Sequence, residues 1–198
     1  MATEPTIGVL ALQGDFREHL AVVRSLGLDG REVRTPQELS SVDALIVPGG
    51  ESTTIGKLAS IYGLIDPIRE AVEGGLPVLG TCAGMIFLGA ATTGDEQPQV
   101  GVLDVVVERN AFGRQVDSFE ADLDVAGFGE PVHAVFIRAP WIEKVGAGVD
   151  VLAEVTQPGT EVRHPVFVRQ GTVIAVSFHP ELTAETRIHE MLADMARA

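Results

Sequence analysis

The sequence predicts an α/β fold: one doubly wound, mostly parallel sheet flanked by helices, with additional antiparallel strands in the second half. Three observations predict it. In the first half, short continuous apolar runs alternate with segments whose apolar residues recur at helical spacing, the pattern of βαβ units whose strands are buried on both faces. Beyond residue 100 the texture changes to short strands separated by Gly, Pro and Asp, which suits antiparallel pairing. Finally, 198 residues suffice for one full hydrophobic core, so a single domain over 1–198 is expected.

Taken in order, the runs at 7–12, 32–35, 44–48 and 76–80 are β-branched or Leu-rich and read as parallel strands. Between them, 16–26, 53–61 and 65–73 carry helical spacing and are closed by Gly27, Gly63 and Gly74. A further helical run covers 85–90. The second half offers strands at 102–108, 119–125, 134–137, 151–155, 165–168 and 172–177, with Gln170-Gly171 as a hairpin turn. The stretch 92–99, with Gly94 and Pro98, reads as a variable loop. The chain closes on an amphipathic helix over 183–196, for which Thr183 and Glu185 supply a start. No repeats, linkers or low-complexity tracts interrupt it.

Charge and composition narrow the function. Twenty-eight acids against 14 bases give a formal charge of −14, which repels a phosphate backbone and excludes nucleic acid as a natural partner. No uncharged apolar stretch is long enough to cross a membrane. The beginning, MATEPTIGVLALQGD, has no basic region ahead of its apolar run and reads as a first strand, so a cytoplasmic location is expected. Cys82 is the only cysteine; it can form no intrachain disulfide and no multi-cysteine metal site. No cofactor and no metal is expected. A single thiol is either filler or a nucleophile.

The surroundings of Cys82 decide in favour of the nucleophile. Gly80-Thr81-Cys82-Ala83-Gly84 stands between a predicted strand and a predicted helix, the setting of a nucleophile elbow with Cys in the serine's place. Flanking glycines are what so strained a turn needs, because a side chain there would collide with it. The positive end of the helix beginning at Ala83 favours the thiolate. A lone cysteine without this context is more often a small buried hydrophobe.

A cysteine nucleophile needs an oriented base. His179-Pro180-Glu181 follows the last predicted strand. Pro180 biases His179 towards extended backbone, so residues 179 and 181 point the same way and Glu181 can hold one ring nitrogen while the other faces Cys82. The remaining histidines, His19, His133, His164 and His189, read as surface or structural. Pro48-Gly49-Gly50-Glu51-Ser52-Thr53 ends another predicted parallel strand, where ligands of such sheets collect. Its glycines let backbone N–H groups approach a developing oxyanion, so Gly50 and Ala83 are candidate donors. The alternative for this turn is a glycine bend followed by a Ser or Thr helix cap.

Together PGGES, GTCAG and SFHPE resemble the class I, triad-type glutamine amidotransferases. LALQGDFREH at 10–19, RNAFGRQVDSFE at 109–120 and FIRAP at 136–140 narrow the resemblance to the glutaminase subunits of pyridoxal 5'-phosphate synthases, across nearly the whole chain. That resemblance implies a flavodoxin-like sheet and hydrolysis of glutamine by Cys82, His179 and Glu181 through a glutamyl thioester. It implies glutamine contacts at Gly50, Glu51, Ser52, Arg109, Ile137 and Arg138. It also implies a partner, the synthase subunit, which forms a large ring, builds the cofactor from a pentose phosphate, a triose phosphate and ammonia, and stimulates a weak glutaminase when it docks. The segment Gln13-Gly14-Asp15, at the end of the first strand, is then placed to complete the oxyanion hole upon docking, with Gln13 and Gly14 as its candidate residues. Two other readings remain: a cysteine hydrolase of related fold, or a regulatory subunit without activity.

Overall fold

The computed structural model describes residues 4–94, 96–109, 111, 118–157 and 159–198. The elements run β1 (Thr6–Leu10), α1 (Phe16–Ser25), β2 (Asp29–Val33), α2 (Pro36–Leu39), β3 (Ala44–Val47), α3 (Ser52–Ile61), α4 (Ile65–Glu73), β4 (Val78–Thr81), α5 (Ala83–Leu88) and β5 (Gly89–Thr92). They continue with β6 (Leu103–Glu108), β7 (Ser118–Leu123), β8 (Val132–Ile137), β9 (Trp141–Val145), β10 (Asp150–Thr156), β11 (Arg163–Gln170), β12 (Val173–Val176), a 3-10 turn at Pro180–Leu182 and α6 (Arg187–Arg197). No described helix is long and apolar enough to cross a membrane.

The main sheet has seven strands in the order β10-β11-β12-β4-β3-β1-β2. Its β12-β4-β3-β1-β2 portion is parallel, and β11 and β10 extend it antiparallel. The alternation of a pleated strand explains why the apolar runs are continuous. Ala44 and Ile46 face a core shared with Leu20 and Val23 of α1 and Ile188 and Leu192 of α6. Leu45 and Val47 face a second core with Ile55 of α3, Ile68 of α4 and Phe87 of α5. Helices therefore cover both faces, and the sheet is doubly wound as the sequence predicts. β5, β6 and β9 form a three-stranded sheet, and β7 pairs with β8 as a separate ribbon.

The structure departs from the sequence reading at several boundaries, each for a local reason. β2 begins at Asp29, three residues early; as an edge strand it buries only Val33 fully, so its sequence lacks an apolar run. The short α2, unforeseen, is started by a capping box in which Thr35 and Glu38 satisfy each other's backbone N–H groups. β5 and β9 were likewise not anticipated. The helix placed at 85–90 ends at Leu88, because Gly89 turns extended and enters β5. Gly27 and Gly63 take the left-handed conformation that closes a helix, but after α4 that role falls to Gly75 and not to Gly74. The last helix starts at Arg187 instead of 183: Thr183 Oγ1 accepts from the Glu185 N–H and Glu185 Oε1 from the Arg187 N–H, so these side chains hold a non-helical lead-in. The hairpin turn at Gln170-Gly171 is present, with Gly171 left-handed between antiparallel β11 and β12.

Candidate active site

β4 ends at Thr81, and the chain turns at Cys82 with φ 49° and ψ −105° before α5 begins at Ala83. A non-glycine residue in this region is strained, and it persists only where its surroundings hold it. They do so here. The Cys82 N–H donates to the Val176 carbonyl at 2.8 Å, which anchors the turn to β12. A methyl group on Gly84 would lie 2.0 Å from the Val47 carbonyl oxygen, and one on Gly80 would lie 2.8 Å from the backbone of Gly84 and the side chain of Leu88. Only glycine lets β3, β4 and α5 close around the elbow. Ala83 is the first residue of α5, so its N–H has no carbonyl one turn earlier to receive it.

β12 delivers the second component. It lies parallel beside β4, and its continuation brings His179 and Glu181 to the same end of the sheet as Cys82. The His179 N–H is fixed by the Val135 carbonyl at 3.0 Å. The His179 ring is buried and hydrogen-bonded to Cys82 on one side, and its Nδ1 donates to Glu181 Oε1 at 2.7 Å on the other. Burial works against the imidazolium, but the hydrogen bonds to Cys82 and Glu181 outweigh it and raise the His179 pKa to about 10. Glu181 is also raised, chiefly by burial, against the lowering effect of His179. The pair therefore holds a proton more tightly than two exposed groups would. It is a thiol, a base and an acid in one row.

The third component is the turn after β3. Gln13 Oε1 accepts from the Glu51 N–H at 2.8 Å, and the Asp15 N–H donates to the Gly49 carbonyl at 3.1 Å. The segments 13–15 and 49–51 are interlocked so closely that a methyl on Gly14 would lie 1.8 Å from the Gly49 oxygen. The helix cap here is neither Ser nor Thr but Glu51, whose carboxylate accepts from the N–H groups of Thr53 and Thr54. Burial pushes its pKa up, and the bonds from Thr54 and Thr53 prevail and lower it. Ser52 lies against the cleft, but its hydroxyl donates to Gln97 Oε1 at 3.1 Å. Gln99 in turn donates to the carbonyls of Ile86 and Gly89. The stretch read as a variable loop is thus tied to the back of the site.

A cleft of about 550 Å³ joins these pieces. Of the residues singled out from sequence, Gln13, Gly50, Glu51, Ser52, Cys82, Ala83, Arg109, Ile137, Arg138 and His179 line it. Glu181 stands behind His179, and Gly14 is half-buried against the turn it packs on. Arg109 Nη2 is 3.4 Å from Glu51 Oε1, so this cation has a partner inside the cleft. Arg138 sits at the rim with a left-handed backbone, φ 42°. Asn110 and the residues 112–117 of the RNAFGRQVDSFE segment lie outside the described residues.

Asp15, singled out from sequence only as the end of the Gln13-Gly14-Asp15 segment, places its Oδ2 3.6 Å from His179 Nδ1. Its pKa is raised, first by burial, with His179 opposing. Asp15, His179 and Glu181 also bring potential metal-ligand atoms within 4.8 Å of one another. His179 and Glu181 already satisfy each other there, an arrangement suited to holding a proton. Of His19 and His189, read from sequence as surface or structural, both are buried, and His19 Nε2 lies 3.4 Å from Glu181 Oε2.

Comparison with known proteins supplies the family. Residues 9–197 match the model of the SNO glutamine amidotransferase family. The chain is 56% identical to the pyridoxal 5'-phosphate synthase subunit PdxT of Parafrankia sp. (strain EAN1pec), over 98% of this chain and 94% of the relative. It is 55% identical to the protein of the same name from Streptomyces coelicolor (strain ATCC BAA-471 / A3(2) / M145), over 100% and 96%. A crystal structure of a glutamine amidotransferase superposes with a TM-score of 0.90 at 53% identity, over 98% of this chain and all of that one. PurLQS from Thermotoga maritima shares the fold at a TM-score of 0.73 and 16% identity, over 97% and 99% of the two chains. With nearly its whole length matched, the chain belongs to the SNO glutamine amidotransferase family.

Proposed function

We propose that the protein hydrolyses L-glutamine to L-glutamate and ammonia as the glutaminase subunit of a pyridoxal 5'-phosphate synthase, and that it passes the ammonia to a synthase subunit. The observation that carries this reading is the row formed by Cys82, His179 and Glu181 at the floor of a cleft with arginines at its wall and rim. Relatives that match over almost the full chain bear the synthase-subunit name, which supports the pairing.

The chemistry follows from the arrangement. The Cys82 thiolate attacks the carboxamide carbon of glutamine, and the oxygen that becomes negative is met by the N–H groups of Ala83 and Gly50. Each such donor contributes roughly a hundred- to a thousand-fold in rate. His179 gives its proton to the departing nitrogen, ammonia leaves, and a glutamyl thioester remains. Water, deprotonated by His179, then attacks the thioester carbon and releases glutamate and the thiol. Glu181 keeps the His179 ring in the orientation that serves both steps. Arg109 and Arg138 suit the α-carboxylate of the substrate, since a guanidinium pairs with it in two-pronged fashion. Glu51 and the carbonyls of the 49–51 turn suit the α-ammonium, and Ile137 forms an apolar side of the cleft.

The test is glutamate release from glutamine with and without the synthase subunit, for wild type and Cys82→Ala. Release that rises with the partner and disappears in Cys82→Ala is the expected result. A correctly folded wild type that releases nothing under either condition would overturn the glutaminase reading in favour of another hydrolase or a regulatory subunit.

A further inference from the structure

Behind Glu181 the site continues as a chain of buried rings. His19, on the first turn of α1, is fully buried, and His189, on α6, is nearly so. His19 Nδ1 is 2.9 Å from His189 Nε2. On its other side, His19 Nε2 is 3.1 Å from Thr81 Oγ1 and 3.4 Å from Glu181 Oε2. That oxygen of Glu181 is buried and makes no hydrogen bond among the described residues, and His19 faces it.

The proton positions follow from what each atom can accept. Glu181 is an acceptor when ionised, and a ring lone pair aimed at a carboxylate repels it, whereas a ring N–H attracts it. His19 therefore carries its hydrogen on Nε2, bonded to Thr81 Oγ1 and turned towards Glu181 Oε2, which it favours electrostatically at 3.4 Å. Its Nδ1 is then an acceptor and receives the Nε2–H of His189. His189 Nδ1 is left as a buried acceptor without a hydrogen-bond partner among the described residues. The opposite arrangement would leave a buried N–H without an acceptor there and would turn a lone pair on Glu181. Burial keeps both rings neutral: it is the first cause lowering each, and Glu185 only partly opposes it at His189. His179 adds to the effect at His19.

We propose that His19 is a positioning residue of this site: its Nε2–H, anchored on Thr81, presents positive charge to the second oxygen of Glu181, and His189 fixes the tautomer that makes this possible. The inference rests on the glutaminase reading above. Geometry gives His19 a second task. Its backbone N–H is bonded to the Asp15 carbonyl at 3.3 Å, so it is one helical turn from the segment that locks the 49–51 turn. Its ring touches Thr81, the residue before Cys82. Residues 13–19 thus touch the 49–51 turn through Gln13, His179 through Asp15, and Glu181 and Thr81 through His19.

Two measurements test this, both with the synthase subunit present where activity is read. In wild type, ring-nitrogen NMR of specifically labelled histidine should find His19 and His189 neutral and protonated on Nε2 between pH 6 and 8. An imidazolium, or an Nδ1–H tautomer at His19, would overturn the proposal whether or not any variant folds. In kinetics, His19→Leu should lower kcat about tenfold to a hundredfold, as when the outer partner of a metal-bound histidine is removed, with KM for glutamine changed less than about twofold. The acidic limb of its pH–rate profile should move to higher pH, because Glu181 loses the donor that favours its ionised form. His19→Gln can place an N–H near the position of Nε2 and should recover most of kcat and the original limb. A folded His19→Leu with wild-type kcat and pH profile would refute the role. Wild type serves as the control: if it hydrolyses no glutamine the functional reading fails, and the NMR result still judges the tautomers.

Discussion

At the residue scale the site depends on a few atoms that have no substitutes. The Gln13 side-chain oxygen is one: it holds the Glu51 N–H and touches the space where a Gly50 side chain would lie. Gln13→Ala should lower partner-stimulated turnover by tenfold or more while costing about 1 kcal/mol of stability, the usual net value of one hydrogen bond. Glutamate release beside urea unfolding measures both, and parallel losses would count against a role in the oxyanion turn. Cys82, His179 and Glu181 were legible in the sequence because their chemistry is local: an elbow between glycines, and a base and acid two residues apart on extended backbone. The contacts of Asp15 with His179 and of His19 with Glu181 were not. Both residues reach the site from α1 across the fold, and nothing in DFREH distinguishes a histidine aimed at a buried carboxylate from one that is simply covered.

At the scale of elements, the strands that place the site were readable because their apolar runs are continuous, while those serving the periphery were not. The polar edge strand β2 and the short β5 and β9 carry no such signature, since partial exposure and pairing with distant segments decide them. Glycines at strand–helix junctions were understood as relief for a crowded turn, and the structure shows the crowding. It yields a direct prediction. Gly84→Ala drives a methyl to 2.0 Å from the Val47 oxygen, so β3 and α5 must separate. The loss should be at least about 3 kcal/mol, at the upper end for overpacking, read as a lowered urea midpoint or as insoluble protein. A midpoint within 0.5 kcal/mol of wild type, the ordinary scatter of surface substitutions, would mean that the junction relaxes easily.

For the whole molecule, burial of titratable groups sets a pH window. His19 is held well below the ordinary histidine range and His189 at about 4, both first by burial. Their unfolded forms take up protons below pH of about 6.5 while the folded forms do not. Stability therefore falls as pH drops from there towards 4, by at most about 1.4 kcal/mol per unit for each ring. Glu181 and Asp15, raised by burial, oppose part of this decline. His179 works at the other end: raised to about 10, it contributes stability present below about 6.5 and lost as pH rises through 10. Urea midpoints at pH 5, 6.5 and 9 should peak at the middle value, and His189→Leu should flatten the acid side. A flat profile across the three would contradict the assignment of buried neutral rings.

The bond from Cys82 to the Val176 carbonyl also sets an order of events during synthesis. The elbow emerges from the ribosome long before the strand that braces it, and His179 and Glu181 follow β12 in turn. A nascent or truncated chain thus holds a lone thiol without the means to use it. The cleft can therefore close around the thiol only after β12 and the residues that follow it have been made.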